Sequence, residues 1–585
     1  MRLLGFNAGR IRTQTIDGEA VRTGYVKTPR PQPWIITPTG AEGDQVAVHS
    51  DHLYAFDRAS YDHWAAELGA HREDWPDGHF AENLTLDVID QNRLGIGDTY
   101  RLGSAILVVT GPRVPCWKLT WRLGQPKTFM RRFRLSGRSG AYFGVIEPGI
   151  VRPGEELVLL DGDPDSPTVA ELSVLCDSGT RISAEQRAVI DRALACPHLS
   201  ETVRGTLDLK LANLARDADD APGWQGWRPF VIDAEIPETP DVTSFLLRPT
   251  DGGPLPGHRA GQHVVVRIAE PGAEPVVRTW SLSRYENDHD HYRISVTIRP
   301  GGAGSPALAR AAAAGLPVEL RAPAGTFHLD RGAFRPVVLV AAGIGITPMI
   351  AMVQAHLQRA RHVPPLWILH GTPNESATPF RGYLDDVAAR HPDVHLHYFH
   401  SRSEAAAPPA GAATVHTGRL TPAGVVAVMR DNYLRDETGA PADIPWFESD
   451  IYVCGSVEFS ETLRDGLIEA GANPDLVFVE DFAAAAGQVG GPQRVSDAVV
   501  HYDPPGLVTT WVAARERTLL ELAEDNGLEL PFDCRAGTCR TCESRLLAGE
   551  VDGAVTALSD GTSRVLLCVS FPRSDDVTLE PHLER

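Results

Sequence analysis

Cys534, Cys539, Cys542 and Cys568 are spaced C-x4-C-x2-C with a fourth cysteine further on, the arrangement by which four thiolates reach the two irons of a 2Fe-2S cluster. The loop from Asp533 to Cys542 contains Ala536, Gly537, Thr538 and Thr541, small residues that let backbone amides approach the sulfurs. Such a cluster moves single electrons. A structural zinc site favours paired C-x2-C units, and zinc, like two disulfides, is the poorer account of this spacing. The other cysteines, Cys116, Cys176, Cys196 and Cys454, are scattered without framework spacing.

A second chemistry is carried by glycines. The apolar run 337–342 feeds Gly343-Ile344-Gly345-Ile346-Thr347-Pro348, which reads as a buried strand, a turn and a helix start of the kind that binds a dinucleotide. Gly343 and Gly345 let the backbone approach the ligand, and Pro348 suits a helix's first turn. Upstream, Gly301-Gly302-Ala303-Gly304-Ser305 opens a helix-like stretch where amides can hold a phosphate or pyrophosphate, although a plain surface turn reads the same way.

The third feature is a lone thiol in a field of positive charge. Between residues 99 and 146 stand nine basic residues (Arg101, Arg113, Lys118, Arg122, Lys127, Arg131, Arg132, Arg134, Arg138) and no Asp or Glu, within a chain of formal net charge -21. A focused positive field suits a phosphate-bearing ligand or an acidic partner; a solvated face is the blander alternative. In its midst, after a strand expected over 105–109, lies Val114-Pro115-Cys116-Trp117-Lys118-Leu119. Nearby cations stabilise a thiolate, so Cys116 is expected to be more reactive than a core cysteine.

These residues need several domains to position them. At 585 residues the chain exceeds one core, and about 150 residues per domain suggests about three to five. The acidic balance argues against nucleic acid as a partner. The sequence has no cationic leader with an apolar core, and no run near the roughly 20 apolar residues of a membrane span, so a cytoplasmic location without membrane contact is expected. Linker-like stretches at 217–226 and 483–493, and a break at 160–168, give expected domains at 1–164, 165–216, 227–332, 333–482 and 494–585. Residues 182–214 carry helical periodicity. Short β-branched runs at 242–247 and 264–268 suggest a barrel, and buried strands at 337–342, 366–370, 394–399 and 451–454 an α/β lobe.

Arg278-Thr279-Trp280-Ser281 resembles the R-x-Y-S signature of the ferredoxin reductase superfamily, with Trp for the usual Tyr. The resemblance implies that Arg278 pairs with a flavin phosphate, Trp280 covers the isoalloxazine and Ser281 bonds the ring edge; for Trp280 a core aromatic is the alternative. The G-I-G-I-T-P turn, with Gly343, Gly345, Thr347 and Pro348, resembles that superfamily's pyridine-nucleotide lobe. Cys454-Gly455 resembles its C-G motif beside the nicotinamide, a buried structural cysteine being the equal alternative. Ser401-Arg402 falls where such reductases meet the adenosine ribose, which leaves NADH and NADPH both open. The order flavin lobe, nucleotide lobe, ferredoxin resembles phthalate dioxygenase reductase, and with it FAD and FMN are both open.

The front third resembles the YiiM subfamily of MOSC (molybdenum cofactor sulfurase C-terminal) domains. The matching residues are Thr23-Gly24-Tyr25-Val26-Lys27, Val48-His49, Tyr61 with Trp64, Glu82-Asn83-Leu84, Pro115-Cys116-Trp117-Lys118-Leu119 and Ser136-Gly137-Arg138-Ser139-Gly140. Family members commonly read Gly-Glu-Asn-Leu and His-Gly-Gly-Pro where this chain has Ala81-Glu82-Asn83-Leu84 and His49-Ser50-Asp51-His52. The two resemblances imply a multidomain chain: a mainly-β MOSC barrel with a small helical extension, a flavin-binding antiparallel β-barrel, an α/β nucleotide-binding domain and an α+β β-grasp ferredoxin domain. They further imply Cys116 as a sulfur ligand to molybdenum, Asn83 and His49 as catalytic neighbours, and Lys118, Arg131 and Arg138 on the phosphate of a molybdenum cofactor. The implied activity passes electrons from NAD(P)H through flavin and the 2Fe-2S cluster to molybdenum and reduces a small N-hydroxylated substrate. Two rivals are a reductase for an external electron acceptor protein, with the MOSC domain as a docking module, and a sulfur carrier using a Cys116 persulfide.

Overall fold

A computed structural model describes residues 1–16, 19–45, 53–176, 183–219, 224, 226–272, 275–285, 290–330, 335–359, 363–402, 413–435, 441–481, 495–513, 517–528, 530, 532, 542–552, 555–557 and 563–581. His49, Cys534, Cys539 and the linker at 483–493 lie outside the described residues. The chain divides into two compact units. One holds Met1–Asp217 with Arg430–Glu448 and Gly471–Leu476; the other holds Ala218–Met429, Ser449–Ala470 and Val477–Arg585.

The first unit is built on an eight-stranded sheet in the order Val158–Asp161, Thr99–Leu102, Ala105–Pro112, Ala141–Glu147, Leu53–Asp57, Leu84–Leu86, Leu3–Ala8, Thr28–Pro29. Backbone bonds from Leu3 N to Glu155 O (2.8 Å) and from Leu157 N to Met1 O (2.9 Å) draw the far edges together. One face encloses an aliphatic core around Leu53, Leu107, Val109 and Phe143. A second, aromatic core gathers Tyr25, Tyr54, Phe56, Tyr61, Trp64, Phe80 and Phe133, with Cys116 packed at its edge. Helix Arg58–Leu68 supplies Tyr61 and Trp64, whose i, i+3 spacing places both on its buried face. Its ends are fixed by Asp57, which accepts from Ser60 N, and by Gly69 at φ 64°. The expected helical extension is present as Val169–Leu175, Ala184–Ala195 and Glu201–Asp219, the first two opened by capping boxes at Thr168/Glu171 and Ser183/Gln186.

The second unit contains three six-stranded sheets. The first is antiparallel, in the order Val276–Ser281, His263–Ile268, Val318–Leu320, Arg228–Pro237, Val242–Pro249, Tyr292–Thr297, and a bridge between Leu282 and Ile294 closes it into a barrel. The second is wholly parallel: Thr414–Thr417, Val394–His400, Leu366–Thr372, Val337–Ala342, Asp450–Gly455, Val477–Asp481. Val337–Ala342 reads as a continuous apolar run because both faces of a central parallel strand are covered. The third orders Leu507–Val512, Asp497–Tyr502, Asp576–Pro581, Glu543–Ala548, Ser563–Leu566 and Val555–Ala557, with helix Leu519–Asp525 completing its core.

Candidate functional sites

Cys116 is half-buried and immediately precedes helix Trp117–Leu123. Beside it the loops carrying the sequence motifs converge. Lys27 and Asp44 form a buried ion pair at 2.7 Å; burial pulls the Lys27 pKa down, and Asp44 works against that shift. The Asn83 carboxamide donates to Asp44 Oδ2 (2.9 Å) and Asn7 O (3.2 Å) and accepts from Tyr54 N (3.1 Å), so it ties three segments together. Glu82 is buried, and burial raises its pKa; Oε1 accepts from Gly78 N (2.7 Å), Tyr61 Oη (2.7 Å) and Thr85 Oγ1 (2.8 Å). The basic residues do not form a single uniform face. Arg113 is buried, Lys118 is half-buried, and Arg131 and Arg138 are exposed. Arg132 pairs with Glu67, and Arg134 donates to Cys176 O at 3.3 Å. A half-buried thiol among cationic side chains fits an anionic ligand.

In the second unit the parallel sheet reverses its strand order between Val337–Ala342 and Asp450–Gly455, and ligands of such sheets bind outside the carboxyl ends at that switch point. There the turn Gly343–Gly345 leads into helix Ile346–Leu357. A Cβ on Gly345 would lie 2.3 Å from Cys454 O, so only glycine lets the turn sit against the Cys454-Gly455 strand end. Thr347 Oγ1 donates to Ile344 O (3.0 Å), which fixes the helix start, and Pro348 is buried in the first turn. His370 Nε2 donates to Gly343 O at 2.9 Å; its pKa is lowered to about 4 by burial. Cys454 is fully buried. Ser401 and Arg402 are exposed beyond strand Val394–His400, with their amides bonded to Thr372 O and Pro373 O.

Arg278, Trp280 and Ser281 share the barrel strand Val276–Ser281. A Cβ on Gly304 would lie 2.5 Å from Arg278 Cγ, so the absence of a side chain there lets Arg278 lie along the start of helix Gly304–Ala314. This brings the two phosphate-binding features together and fits a flavin phosphate; Ser305 accepts from Arg299 N at 3.4 Å. Trp280 is half-buried against the barrel core. Ser281 Oγ donates to Glu480 Oε2 (3.5 Å), and Glu480 Oε1 lies 3.4 Å from His263 Nδ1. Sequence reading missed Glu480, His263 and His370. The available signal for Glu480 was a carboxylate ending a parallel strand in register with Cys454.

Of the four cluster cysteines, Cys542 and Cys568 are described. Both are buried, and the Cys568 amide points at Cys542 Sγ at 3.5 Å. An amide aimed at sulfur fits a thiolate that ligates iron.

Four domain families match the chain. Residues 43–158 match the MOSC domain, 236–329 the oxidoreductase FAD-binding domain, 339–465 the oxidoreductase NAD-binding domain and 504–573 the 2Fe-2S iron-sulfur cluster binding domain. The chain therefore joins a MOSC domain to an oxidoreductase FAD-binding domain, an oxidoreductase NAD-binding domain and a 2Fe-2S cluster binding domain. A flavohemoprotein of Xylella fastidiosa (strain Temecula1) is 34% identical over 261 residues, 44% of this chain and 60% of that protein. One from Deinococcus radiodurans is 42% identical over 167 residues, 28% of this chain and 40% of that protein. The chain thus spans less than two thirds of the length of these relatives. Among solved structures, phthalate dioxygenase reductase is similar at 23% identity and TM-score 0.38, over 61% of this chain and 98% of that chain. YiiM from Geobacillus stearothermophilus is similar at 24% identity and TM-score 0.29, over 36% of this chain and 98% of that chain. No helix among the described residues is long and apolar enough to cross a membrane.

Proposed function

We propose that this chain is a self-contained reductase in which electrons from NAD(P)H reach a molybdenum cofactor on Cys116 and reduce small N-hydroxylated compounds. The observation that carries this reading is the union, in one chain, of FAD-, NAD- and 2Fe-2S-binding domains with a MOSC domain whose Cys116 is half-exposed. The balanced reaction is NAD(P)H + H⁺ + R2N–OH → NAD(P)⁺ + R2NH + H2O. When bound, flavin would supply hydride acceptance and single-electron release, the iron-sulfur cluster single-electron relay, and molybdenum two-electron reduction of the N–O bond.

The chain's own residues bind and orient these groups. Gly343, Gly345 and Thr347 shape a turn that would take the nucleotide pyrophosphate, Arg278 and Gly304 would hold the flavin phosphate, and Trp280 would lie against the flavin ring. Ser281, backed by Glu480 and His263, supplies a hydrogen-bonding group at the ring edge and a route for a proton. Cys534, Cys539, Cys542 and Cys568 hold the cluster. Cys116 would hold molybdenum, Asn83 fixes the loops around it, Lys118, Arg131 and Arg138 would meet the cofactor phosphate, and His49 is assigned a catalytic role from its motif alone.

Cys116→Ala tests the reading. It is expected to abolish N-hydroxyl reduction while NAD(P)H-dependent ferricyanide reduction continues at the parent rate, with molybdenum near one atom per chain in the parent and lost in the variant. Undiminished N-hydroxyl reduction removes Cys116 from the reaction. Cyanide-labile sulfur without molybdenum in the parent favours the sulfur-carrier rival instead.

A further inference from the structure

The segment that leads to Cys116 buries a guanidinium. Arg113 is 5% exposed. It lies over the Tyr54 ring, Cζ 4.2 Å from the centroid, and donates to Tyr25 Oη at 3.2 Å, while its Nε has no hydrogen-bond partner among the described residues. A buried charge is stable only when something answers it. The carboxylates packed in this region do not. Asp44 accepts from Gly9 N through Oδ1 and from Lys27 and Asn83 through Oδ2. Glu82 gives Oε1 to Gly78, Tyr61 and Thr85, its Oε2 has no hydrogen-bond partner, and burial disfavours its charged form. Tyr25 and Tyr54 stay neutral, because burial pushes both phenols up. Among the described residues, therefore, no anion pairs with Arg113. Tyr25, which accepts from Arg113, belongs to the aromatic core against which Cys116 packs, three residues along the chain from Arg113.

We infer that Arg113 and Tyr25 form an anion-binding subsite beside Cys116 that takes an oxyanion group such as a carboxylate or phosphate. The subsite is distinct from the exposed Arg131 and Arg138. It does not depend on molybdenum at Cys116, so it stands or falls apart from the proposed reaction. The oxyanion comes either from the group bound at Cys116 or from the substrate, and the same guanidinium serves both.

The test compares alkylation of Cys116 by iodoacetate and by iodoacetamide in the full chain prepared without molybdenum, read by peptide mass spectrometry. Both reagents attack the same thiolate, so its ionised fraction cancels and the rate ratio reads attraction for a carboxylate. Half-buried Cys196 is the internal reference. The expected ratio at Cys116 is about tenfold above that at Cys196, falls to the Cys196 level in Arg113→Gln, and is lowered in the parent by inorganic phosphate but not by chloride at equal ionic strength. Equal ratios at the two cysteines in the parent overturn the subsite, and this comparison holds whether or not Arg113→Gln folds. A fall in Lys118→Gln but not in Arg113→Gln also overturns it. Molybdenum content of Arg113→Gln grown with molybdate separates the sources. Loss places the oxyanion on the group bound at Cys116; retention with a raised KM for an acidic substrate places it on the substrate.

Discussion

Ala81 stands at φ 66°, in the left-handed region that glycine favours, where the motif it resembles commonly reads Gly. The turn it makes sets Glu82 and Asn83 into the core, where their side chains hold Tyr61, Asp44 and the Tyr54 amide. The chain tolerates Ala because a lone methyl costs little there, and the methyl is itself buried. A β-branched side chain is different: Ala81→Val is expected to destabilise the first unit by about 1–3 kcal/mol. Ala81→Gly should change stability little, since relief at φ offsets the lost methyl contact and the greater freedom of the unfolded chain. Urea midpoints followed by tryptophan fluorescence compare the two. A Val variant as stable as the parent would show that this turn is not set by its backbone conformation. The motif around Ala81 was legible from residue types, whereas the positive φ was not, because alanine hides it.

At the level of elements, the parallel strands and their glycine turn follow from apolar runs and glycine spacing, and each expected strand is present within a few residues. Less visible was what stiffens the turn. His370 lies inside the apolar strand Leu366–Thr372 and looks like a core residue, yet its Nε2–H holds the Gly343 carbonyl. Burial depresses its pKa from 6.5 to about 4. Between those values the unfolded chain binds a proton that the folded lobe refuses. The contribution of His370 is therefore complete above about pH 6.5 and is lost as pH falls toward 4, up to about 3 kcal/mol. His395, His397, His400 and His416 of the same lobe shift the same way. His370→Gln keeps an N–H for Gly343 O and removes one titration, so its acid-side loss of stability should be shallower than the parent's by about one proton. Urea midpoints across pH 4 to 8 measure this, and parallel parent and variant curves would refute it. Long-range pairs such as Ser281 with Glu480 were out of reach of a linear pattern, because their partners are set by strand order.

At the scale of the whole molecule, electrons cross domain boundaries, and the second unit holds one such boundary in place with a buried charge. Arg321, at the end of barrel strand Val318–Leu320, is 8% exposed and pairs with Glu521 of the ferredoxin helix Leu519–Asp525. Glu521 is itself 5% exposed, and its second oxygen caps that helix through Thr518 N (3.0 Å) and Thr518 Oγ1 (3.2 Å). Trp227, just past the linker at 217–226, stacks under the Arg321 guanidinium at 4.6 Å and the Arg267 guanidinium at 4.7 Å. One carboxylate thus serves as both helix cap and domain clamp. None of this was legible in sequence, because Arg321 and Glu521 belong to different domains of the chain and meet only in the fold. Arg321→Gln leaves Glu521 buried without its cation, a loss of about 3–5 kcal/mol. The part of that loss carried by the boundary is expected to undock the ferredoxin domain while the flavin lobe stays folded. In stopped-flow traces, flavin reduction by NAD(P)H should proceed at the parent rate while cluster reduction slows at least about tenfold, a loss of about 1.4 kcal/mol in barrier terms. Glu521→Gln, which keeps the hydrogen-bonding shape but not the charge, should slow cluster reduction less. If cluster reduction in Arg321→Gln keeps the parent rate while calorimetry shows the expected destabilisation, the clamp stabilises the chain without setting the distance electrons travel.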